Sequence, residues 1–418
     1  MEQAGVVAAG MVLAGREFEV LAPGWVAIQD GRIVEVGSGR PPDQAGPVLD
    51  ARHGLLTPAF VNAHTHVSDA VMKDRGFGQP FWELVMPPDG LRHRVLRETT
   101  PLVLREAVRD TLRHMVSCGT TAFADFREGG LAGVRLLKEA AVDQPIHALA
   151  LGRFQRSPAQ PAGALERNEG ALSAEDLAEI DALLEAGDGF GLPSANEVTD
   201  EGLWQLGARV RLRDGLLAVH AAEAPGYRDR SLSRTGRGDV DRIAEHLRPN
   251  FVVHLTDATE TELDRLAAAG IPVVVCPRIQ GVMGLGVPRF DRMLERGMLV
   301  ALGTDNVMLA SPDPLRELEY SSRVIRAVRK DASSPSAREL LKMATVNGAR
   351  LLGRDSDLGL LEKGRLADMI VFNLGTLNLR PVHDPVASLV SRAEAGDIQA
   401  VLHAGLVVHG VLEVGARL

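Results

Sequence analysis

Short apolar runs alternate with amphipathic segments through the middle of this 418-residue chain. Eight apolar runs follow one another: LLTPAFVNAHTH, TTAFADF, IHALALGRF, GFGLPSANE, GLLAVHAAE, NFVVHLTDA, IPVVVCPR and LVALGTDN. Between them lie helix-like stretches such as VLREAVRDTLRHMVSCG and SAEDLAEIDALLEAG. Eight strands that alternate with helices form a parallel sheet with right-handed crossovers, and eight is the number that closes a barrel. The pattern therefore predicts an α/β fold built on a (β/α)8 TIM barrel.

Two of the helical stretches open with residues that are typical of a helix start. Ser173 is followed three residues later by Asp176, and Thr259 is followed in the same way by Glu262. In this arrangement each of the two side chains bonds to a backbone N–H of the other residue, so the first turn is closed from both sides. We therefore predict helices that begin directly after Ser173 and Thr259.

The two ends of the chain have the texture of short strands and turns. Near the N-terminus, GWVAIQDGRIVEVG contains two alternating runs joined by Asp30-Gly31, which favours a tight hairpin. The C-terminal stretches GRLADMIVFN and IQAVLHAGLVVHGVLEV follow the same pattern. Since neither end can bury a core alone, we predict one small β-sandwich formed by residues 1–54 and 360–418. Residues 55–359 then form the barrel.

Composition and charge narrow the class of protein. Apolar residues make up 45% of the chain and charged residues 24%, which is typical of a globular protein. The net charge of −9 argues against nucleic-acid binding. Two cysteines are too few for a disulfide framework, and no apolar stretch nears the roughly 18 residues of a membrane helix. The N-terminus lacks the basic start of a signal peptide, so we expect a cytoplasmic protein without a membrane partner.

Histidines and an aspartate stand at the ends of four of the predicted strands. These residues are His64 and His66 on the first strand, His220 on the fifth, His254 on the sixth and Asp305 on the eighth. Residues i and i+2 of a strand point to the same side, and the carboxyl ends of all barrel strands meet at one rim. Imidazole and carboxylate groups are good ligands for zinc, iron and similar divalent ions. The pattern predicts a metal site at this rim.

An acid follows the fifth strand in VHAAE, where Glu223 lies three residues after His220. A catalytic metal ion with an open coordination position makes water reactive at neutral pH. A carboxyl group beside such an ion can carry a proton from the water to the substrate. Glu223 is therefore a candidate for general acid–base catalysis.

The order of these motifs along nearly the whole chain resembles the amidohydrolase superfamily, in particular its deaminase and chlorohydrolase branch. The motifs include LLTPAFVNAHTH, CGTTAFADF, VHAAE, VVHLTD, VVVCPR, VALGTDN and the late ATVNGARLLG and LGLLEKGRLADMIVFN. The resemblance implies that one divalent ion is bound, zinc in first place and iron as the alternative. It makes the following residues its ligands: His64, His66, His220 and Asp305.

The same resemblance implies the catalytic roles. Glu223 would shuttle the proton, while His254 and Asp305 would hold the attacking oxygen. Binuclear relatives use a bridging residue, often lysine, from the fourth strand. Here the segment GFGLPSANEVTD contains no lysine, which favours a single ion, although Glu197 in that segment is an argument on the other side.

The function that the resemblance implies is hydrolytic deamination of a small heterocycle, with release of ammonia from an exocyclic amine. The substrate would be a purine, a pyrimidine, a pterin or a nucleoside-like compound. An alternative enzyme with the same site would hydrolyse a cyclic amide or amidine, or displace chloride. A third alternative is a non-catalytic assembly protein, a class that loses metal ligands. Relatives also imply a homo-oligomer.

Several positions depart from the pattern of the relatives, and all of them bear on substrate choice. After VVVCPR the chain has Ile279-Gln280 where relatives often have Ser-Asn. The segment after the first strand, which forms the substrate lid in relatives, is compact here. Trp82 and Glu83 in that segment, together with Gln280, are therefore candidate substrate contacts, although Trp82 could equally be a core residue. Arg153 in LGRF is a further candidate, with a surface salt bridge as the alternative.

Overall fold

The structure is a computed structural model and describes residues 5–41, 47–86, 89–156, 158 and 163–414. The strands are β1 (Val6–Ala14), β2 (Glu19–Leu21), β3 (Gly24–Gln29), β4 (Arg32–Ser38), β5 (Val48–Pro58), β6 (Phe60–His66), β7 (Thr120–Arg127), β8 (His147–Gly152), β9 (Gly189–Leu192), β10 (Leu216–Ala221), β11 (Phe251–His254), β12 (Val273–Val275), β13 (Val300–Leu302), β14 (Asp305–Asn306), β15 (Met369–Asn373), β16 (Ile398–His403), β17 (Leu406–Gly410) and β18 (Glu413–Val414).

The α-helices are α1 (Phe81–Val85), α2 (Leu91–Glu98), α3 (Pro101–Ser117), α4 (Gly130–Ala141), α5 (Ala164–Arg167), α6 (Ala174–Ala186), α7 (Asp200–Leu212), α8 (Tyr227–Thr235), α9 (Asp239–Arg242), α10 (Glu260–Ala268), α11 (Pro277–Val282), α12 (Phe290–Glu295), α13 (Pro314–Arg329), α14 (Ala337–Met343), α15 (Val346–Leu351) and α16 (Pro385–Ser391). Within the described ranges, no helix is both long and apolar enough to cross a bilayer.

The eight predicted apolar runs form one parallel sheet in the order β6 to β13. The short strand β14 follows β13 after two residues and pairs with β6, so that Asp305 lies opposite Thr65. Because β13 pairs with β12 on its other side, this step joins the last strand to the first. The prediction of a TIM barrel is confirmed.

Burial of the barrel strands on both faces explains why their sequences are largely apolar. Every residue of β7, β9, β11, β12 and β13 is buried, as expected for parallel strands that are covered on both faces. The two predicted capping boxes are also present. Ser173 and Asp176 open α6, and Thr259 and Glu262 open α10, each with both reciprocal hydrogen bonds.

The two ends of the chain share a second nine-stranded sheet in the order β17-β16-β15-β5-β1-β3-β4, with β2 on β1 and β18 on β5. The predicted hairpin joins β3 to β4, and Asp30 and Gly31 both have positive φ, at 50° and 75°. Two such residues in succession form the turn whose twist matches that of the strands.

Residues of this sheet form one buried apolar cluster, which includes Val7, Val26, Ile33, Met369, Ala400 and Leu402. The predicted domain boundaries at residues 54/55 and 359/360 stay a prediction. The strand pairing shows where the chain changes sheets: β5 pairs with β15 as far as Pro58, and the barrel strand β6 starts at Phe60. This short step directly after the terminal sheet carries the chain into the barrel.

Candidate metal and catalytic site

The five predicted strand-end residues meet at the carboxyl end of the barrel. We call them the rim cluster: His64 and His66 on β6, His220 on β10, His254 on β11 and Asp305 on β14. The rings lie close together, with centroids 4.9 to 5.7 Å apart between His64 and the other three histidines. All five side chains are buried. Closure of the barrel therefore brings together residues that are up to 241 positions apart in sequence.

The spacing of the ligand atoms in the rim cluster suits a small divalent ion. The Nε2 atoms of His64 and His220 are 3.3 Å apart. Oδ1 of Asp305 lies 3.4 Å from Nε2 of His64 and 3.5 Å from Nε2 of His66. Ligands that surround zinc tetrahedrally at about 2.0–2.1 Å are themselves separated by about 3.4 Å. The observed distances are thus those expected along the edges of a zinc coordination shell.

In two of the imidazoles, Nδ1, the ring nitrogen that faces away from the centre of the cluster, lies within hydrogen-bond distance of an acceptor. Nδ1 of His220 lies 3.1 Å from the carbonyl of Pro193. Nδ1 of His66 lies 3.2 Å from the carbonyl of Phe126 and 3.0 Å from Oε1 of Glu128. Because these acceptors take the Nδ1 proton, the lone pair of each ring is on Nε2 and faces the centre of the cluster.

Burial favours the neutral form of His64, His220 and His254, whereas the neighbouring carboxylate of Glu128 raises the pKa of His66. Burial lowers the pKa of His64 to about 4 and holds the pKa of His220 well below its ordinary value. Burial alone would raise the pKa of Asp305, but its contacts with His64 and the other imidazoles hold that pKa far below its ordinary value. Neutral imidazoles and an ionised carboxylate are the ligand forms that a divalent metal ion requires. The donor types and their spacing fit such an ion.

Glu223 stands beside the rim cluster, as predicted for the proton carrier. It follows β10 after Ala222, whose φ is +43°, and its Oε1 lies 3.6 Å from Nε2 of His254. Burial, together with the charge of Asp305, raises the pKa of the Glu223 carboxyl to about 8. A bound cation acts in the opposite direction. The carboxyl group can therefore take up and release a proton near neutral pH.

The side chain of Gln280 orients His254. It is completely buried, and its Nε2 lies 2.9 Å from Nδ1 of His254. Since an amide N–H donates to Nδ1, the ring proton of His254 is on Nε2, a buried atom that has no hydrogen-bond partner in the described protein. The backbone at His254 has φ +82°, a strained conformation of the kind that persists at functional sites.

Two cavities meet above the rim cluster. A pocket of about 80 Å³ is lined by His66, His220, Glu223 and Asp305, and a larger cavity of about 1100 Å³ lies next to it. Both are lined by the following residues: His93, Arg153, Pro193 and Glu197. The small pocket can hold the reacting part of a substrate while the rest extends into the large one.

The four residues considered as substrate contacts lie in different places. Arg153 lines both cavities, whereas Gln280 is bonded to His254 as described above. Glu83 is exposed on α1. Trp82 is 38% exposed and stacks on Tyr227, with ring centroids 5.5 Å apart. Tyr227 itself lines the small pocket, so Trp82 reaches the site through a neighbour.

A buried charge network behind His66 was not expected from the sequence. Arg92 on α2 donates from Nε to Oδ1 of Asp69 at 2.9 Å and forms a close ion pair with Glu128. Glu128 in turn contacts His66. The position of Glu128 directly after β7 follows the same strand-end rule that identified the rim cluster. Arg92 gave no such signal, because it lies on a helix that only the fold brings to the barrel.

Comparisons with known proteins agree with this architecture. A relative from Methanothermobacter thermautotrophicus, whose provisional name is aminohydrolase, is 35% identical over 96% of this chain and 98% of its own length. A 5-methylthioadenosine/S-adenosylhomocysteine deaminase from Syntrophobacter fumaroxidans is 29% identical over 96% and 91%. The zinc-bound crystal structure of an adenosine deaminase from Xanthomonas campestris shares the fold, with a TM-score of 0.83, 21% identity and 96% and 92% of the two chains covered.

The sequence profile of the amidohydrolase family matches residues 55–408, which include every member of the rim cluster and Glu223. The resemblance stated from the motifs alone is thereby confirmed. This chain belongs to the amidohydrolase family.

Proposed function

We propose that this protein is a metal-dependent hydrolytic deaminase that removes the exocyclic amine of a small heterocycle as ammonia. The observation that carries the proposal is the position of Glu223, a buried carboxyl group with a raised pKa beside a set of metal ligands. The relatives named aminohydrolase and deaminase support the same reaction. The presence of all predicted ligands argues against a non-catalytic assembly protein.

The residues of the rim divide the work between them. His64, His66, His220 and Asp305 would hold one divalent ion, which supplies Lewis acidity and makes water nucleophilic at neutral pH. Glu223 accepts the proton of the attacking water and delivers it to the ring nitrogen next to the reacting carbon. The Nε2–H of His254 donates a hydrogen bond to the water oxygen as this oxygen adds to the ring carbon. Return of the second water proton to the amine lets ammonia leave and yields the oxo product.

Zinc as a single ion is the proposed metal. The zinc-bound adenosine deaminase of the same fold supports the choice of metal. The absence of a lysine from the fourth-strand segment supports the count of one. Glu197 lies in that segment and lines the small pocket, so metal analysis also tests the count of one ion. Iron remains the alternative that metal analysis distinguishes.

The shape of the cavities favours a nucleoside-like substrate over a free base. The small pocket at the metal ligands would take the aminated ring, and the adjoining cavity of about 1100 Å³ would take the remainder. Arg153 and Glu197 line both cavities and offer a donor and an acceptor to polar groups of that remainder. The relative named for 5-methylthioadenosine and S-adenosylhomocysteine supports an aminated purine nucleoside.

A screen for ammonia release tests the proposal. Zinc-loaded protein would be incubated with aminated purines, pyrimidines and pterins, with the corresponding nucleosides, and with a cyclic amide and a chlorinated heterocycle. We expect ammonia from at least one aminated compound, and a higher kcat/KM for a nucleoside than for its free base. Chloride release or ring opening without ammonia would instead support the alternative hydrolases. The expected homo-oligomer stays a prediction, which light scattering on the purified protein would test.

A further inference from the structure

A second group of histidines and an aspartate lies at the opposite end of the barrel. We call it the junction cluster: His147, Asp368 and His403. His147 is the first residue of β8, Asp368 directly precedes β15, and His403 is the last residue of β16. The cluster therefore connects the amino end of a barrel strand with two strands of the terminal sheet. It shares no residue with the rim cluster and takes no part in the proposed reaction.

The ligand atoms of the junction cluster have the spacing of a coordination shell. Oδ2 of Asp368 lies 3.2 Å from Nδ1 of His403 and 3.4 Å from Nε2 of His147. The two rings have centroids 4.6 Å apart, and all three ligand atoms lie within 4.8 Å of one another. These distances match the separation of about 3.4 Å between ligands that surround zinc.

The carboxylate of Asp368 is buried, and two imidazoles and one backbone N–H face it. Its side chain is 3% exposed. Within ion-pair distance, the described part of the chain gives it two histidines and no arginine or lysine. Its other oxygen accepts the N–H of Ala404 at 2.8 Å. Burial alone would raise the pKa of Asp368, but its contacts with the two imidazoles and Ala404 hold that pKa below its ordinary value. An ionised carboxylate is the form that a divalent metal ion requires.

A hydrogen bond from His403 to Asp368 accounts for only part of this arrangement. The Nδ1–H of His403 can donate to Oδ2 of the aspartate. Nε2 of His147, however, is a buried atom with no hydrogen-bond partner in the described protein, although it faces the same oxygen. A cation between the three atoms satisfies all of them, because it takes both lone pairs and the carboxylate charge.

We propose that the junction cluster binds one divalent cation of the zinc type through Nε2 of His147, Oδ2 of Asp368 and Nδ1 of His403. The side chains of both histidines are 21% exposed, so water completes the shell. The carbonyl of Asp368 also accepts the N–H of Ala59 at 3.0 Å, at the step from β5 to β6. The ion therefore has a structural role. It links β8 of the barrel to the terminal sheet near the point where the chain passes from one to the other.

Metal stoichiometry of the full chain without an affinity tag tests the proposal. The protein would be stripped with a chelator, dialysed against buffered zinc and analysed for metal per chain. We expect two zinc ions in the wild type and one each in His403→Gln and His147→Gln. His409→Gln, which changes another histidine of the terminal sheet, serves as the matched control and keeps two. Zinc should also raise the Tm of the wild type by about 3 °C more than that of His403→Gln.

Two results would overturn the proposal, and neither depends on enzymatic activity. If the wild type and His403→Gln hold equal numbers of ions, then the junction cluster is only a hydrogen-bonded triad or the second ion lies elsewhere. If the variants do not fold, titration of the stripped wild type with Co²⁺ decides instead. We expect two successive sets of visible absorption bands, and saturation after one equivalent would contradict the proposal. Failure here leaves the proposed deaminase function unaffected.

Discussion

The rim cluster and the junction cluster use the same residue types in different surroundings. In both, imidazole nitrogens and an aspartate oxygen lie 3.2 to 3.5 Å apart. The rim cluster is buried, has Glu223 beside it and opens into a pocket. The histidines of the junction cluster are one-fifth exposed. The comparison teaches that residue type decides what can be bound, whereas the neighbouring acid and cavity decide whether chemistry can follow.

The two clusters also differ in how their charge is compensated. Behind the rim, Arg92 supplies a permanent cation to Asp69 and Glu128. At the junction cluster, the described residues within ion-pair distance of Asp368 are two histidines, with no arginine or lysine. The rim cluster thus has a permanent protein cation behind it, whereas at the junction cluster the proposed ion would supply the permanent positive charge.

The largest effect should come from removing the proton carrier, the group that only the rim possesses. In Glu223→Gln we expect kcat to fall by ~10²–10⁴, because the amide cannot take the proton from water. Zinc content should stay unchanged. Activity would be measured by ammonia release, with the exposed Glu201→Gln as the control. A parallel loss of zinc would mean that Glu223 is a ligand and not a shuttle.

Removal of the permanent cation behind the rim should lower stability most. Arg92→Met leaves Asp69 and Glu128 as buried carboxylates without their partner, at a cost of about 3–5 kcal/mol in the free energy of unfolding. Urea denaturation measures this change. Arg113→Met removes an exposed ion pair with Asp110 and should cost less than about 1 kcal/mol. Equal effects of the two substitutions would contradict the distinction.

Loss of the amide that orients His254 should have a smaller effect on catalysis. Gln280→Leu removes the hydrogen bond to Nδ1, so the ring and its proton are no longer held in one orientation. We expect kcat to fall by about 10–100-fold with zinc still bound. Gln399→Leu in the terminal sheet is the matched change. An unaltered kcat in Gln280→Leu would show that packing alone orients His254.

The smallest expected effect concerns the packing of the rim strands. A Cβ on Gly303 would lie 2.8 Å from Cβ of His64, so Gly303→Ala forces β6 and the last strand apart. We expect a loss of about 1–3 kcal/mol in the free energy of unfolding together with weaker zinc binding. At Gly396, where a Cβ meets nothing within 4 Å, the same substitution should be nearly neutral. Equal zinc affinity in the two variants would show that the close packing of Gly303 against His64 does not affect the metal site.

Much of the fold was predictable because its signals are local. Each barrel strand is a short, largely apolar run, since parallel strands are buried on both faces. The hairpin at Asp30-Gly31 and the capping boxes at Ser173 and Thr259 depend on residues only a few positions apart. The place where the chain passes from one sheet to the other was harder to predict from the sequence. Residues 55–58 are as apolar as the strand that follows, and only their pairing with β15 assigns them to the terminal sheet.

The sequence by itself determined the barrel and the polar residues at its strand ends, because strand periodicity and the common direction of parallel strands convert position along the chain into position on one rim. Only the tertiary structure decided what surrounds those residues. Arg92 reaches Glu128 from a helix, Gln280 reaches His254 from another, and His147 meets His403 across 256 positions of sequence. Such contacts join separate helices and strands, and no local pattern of apolar and polar residues records them.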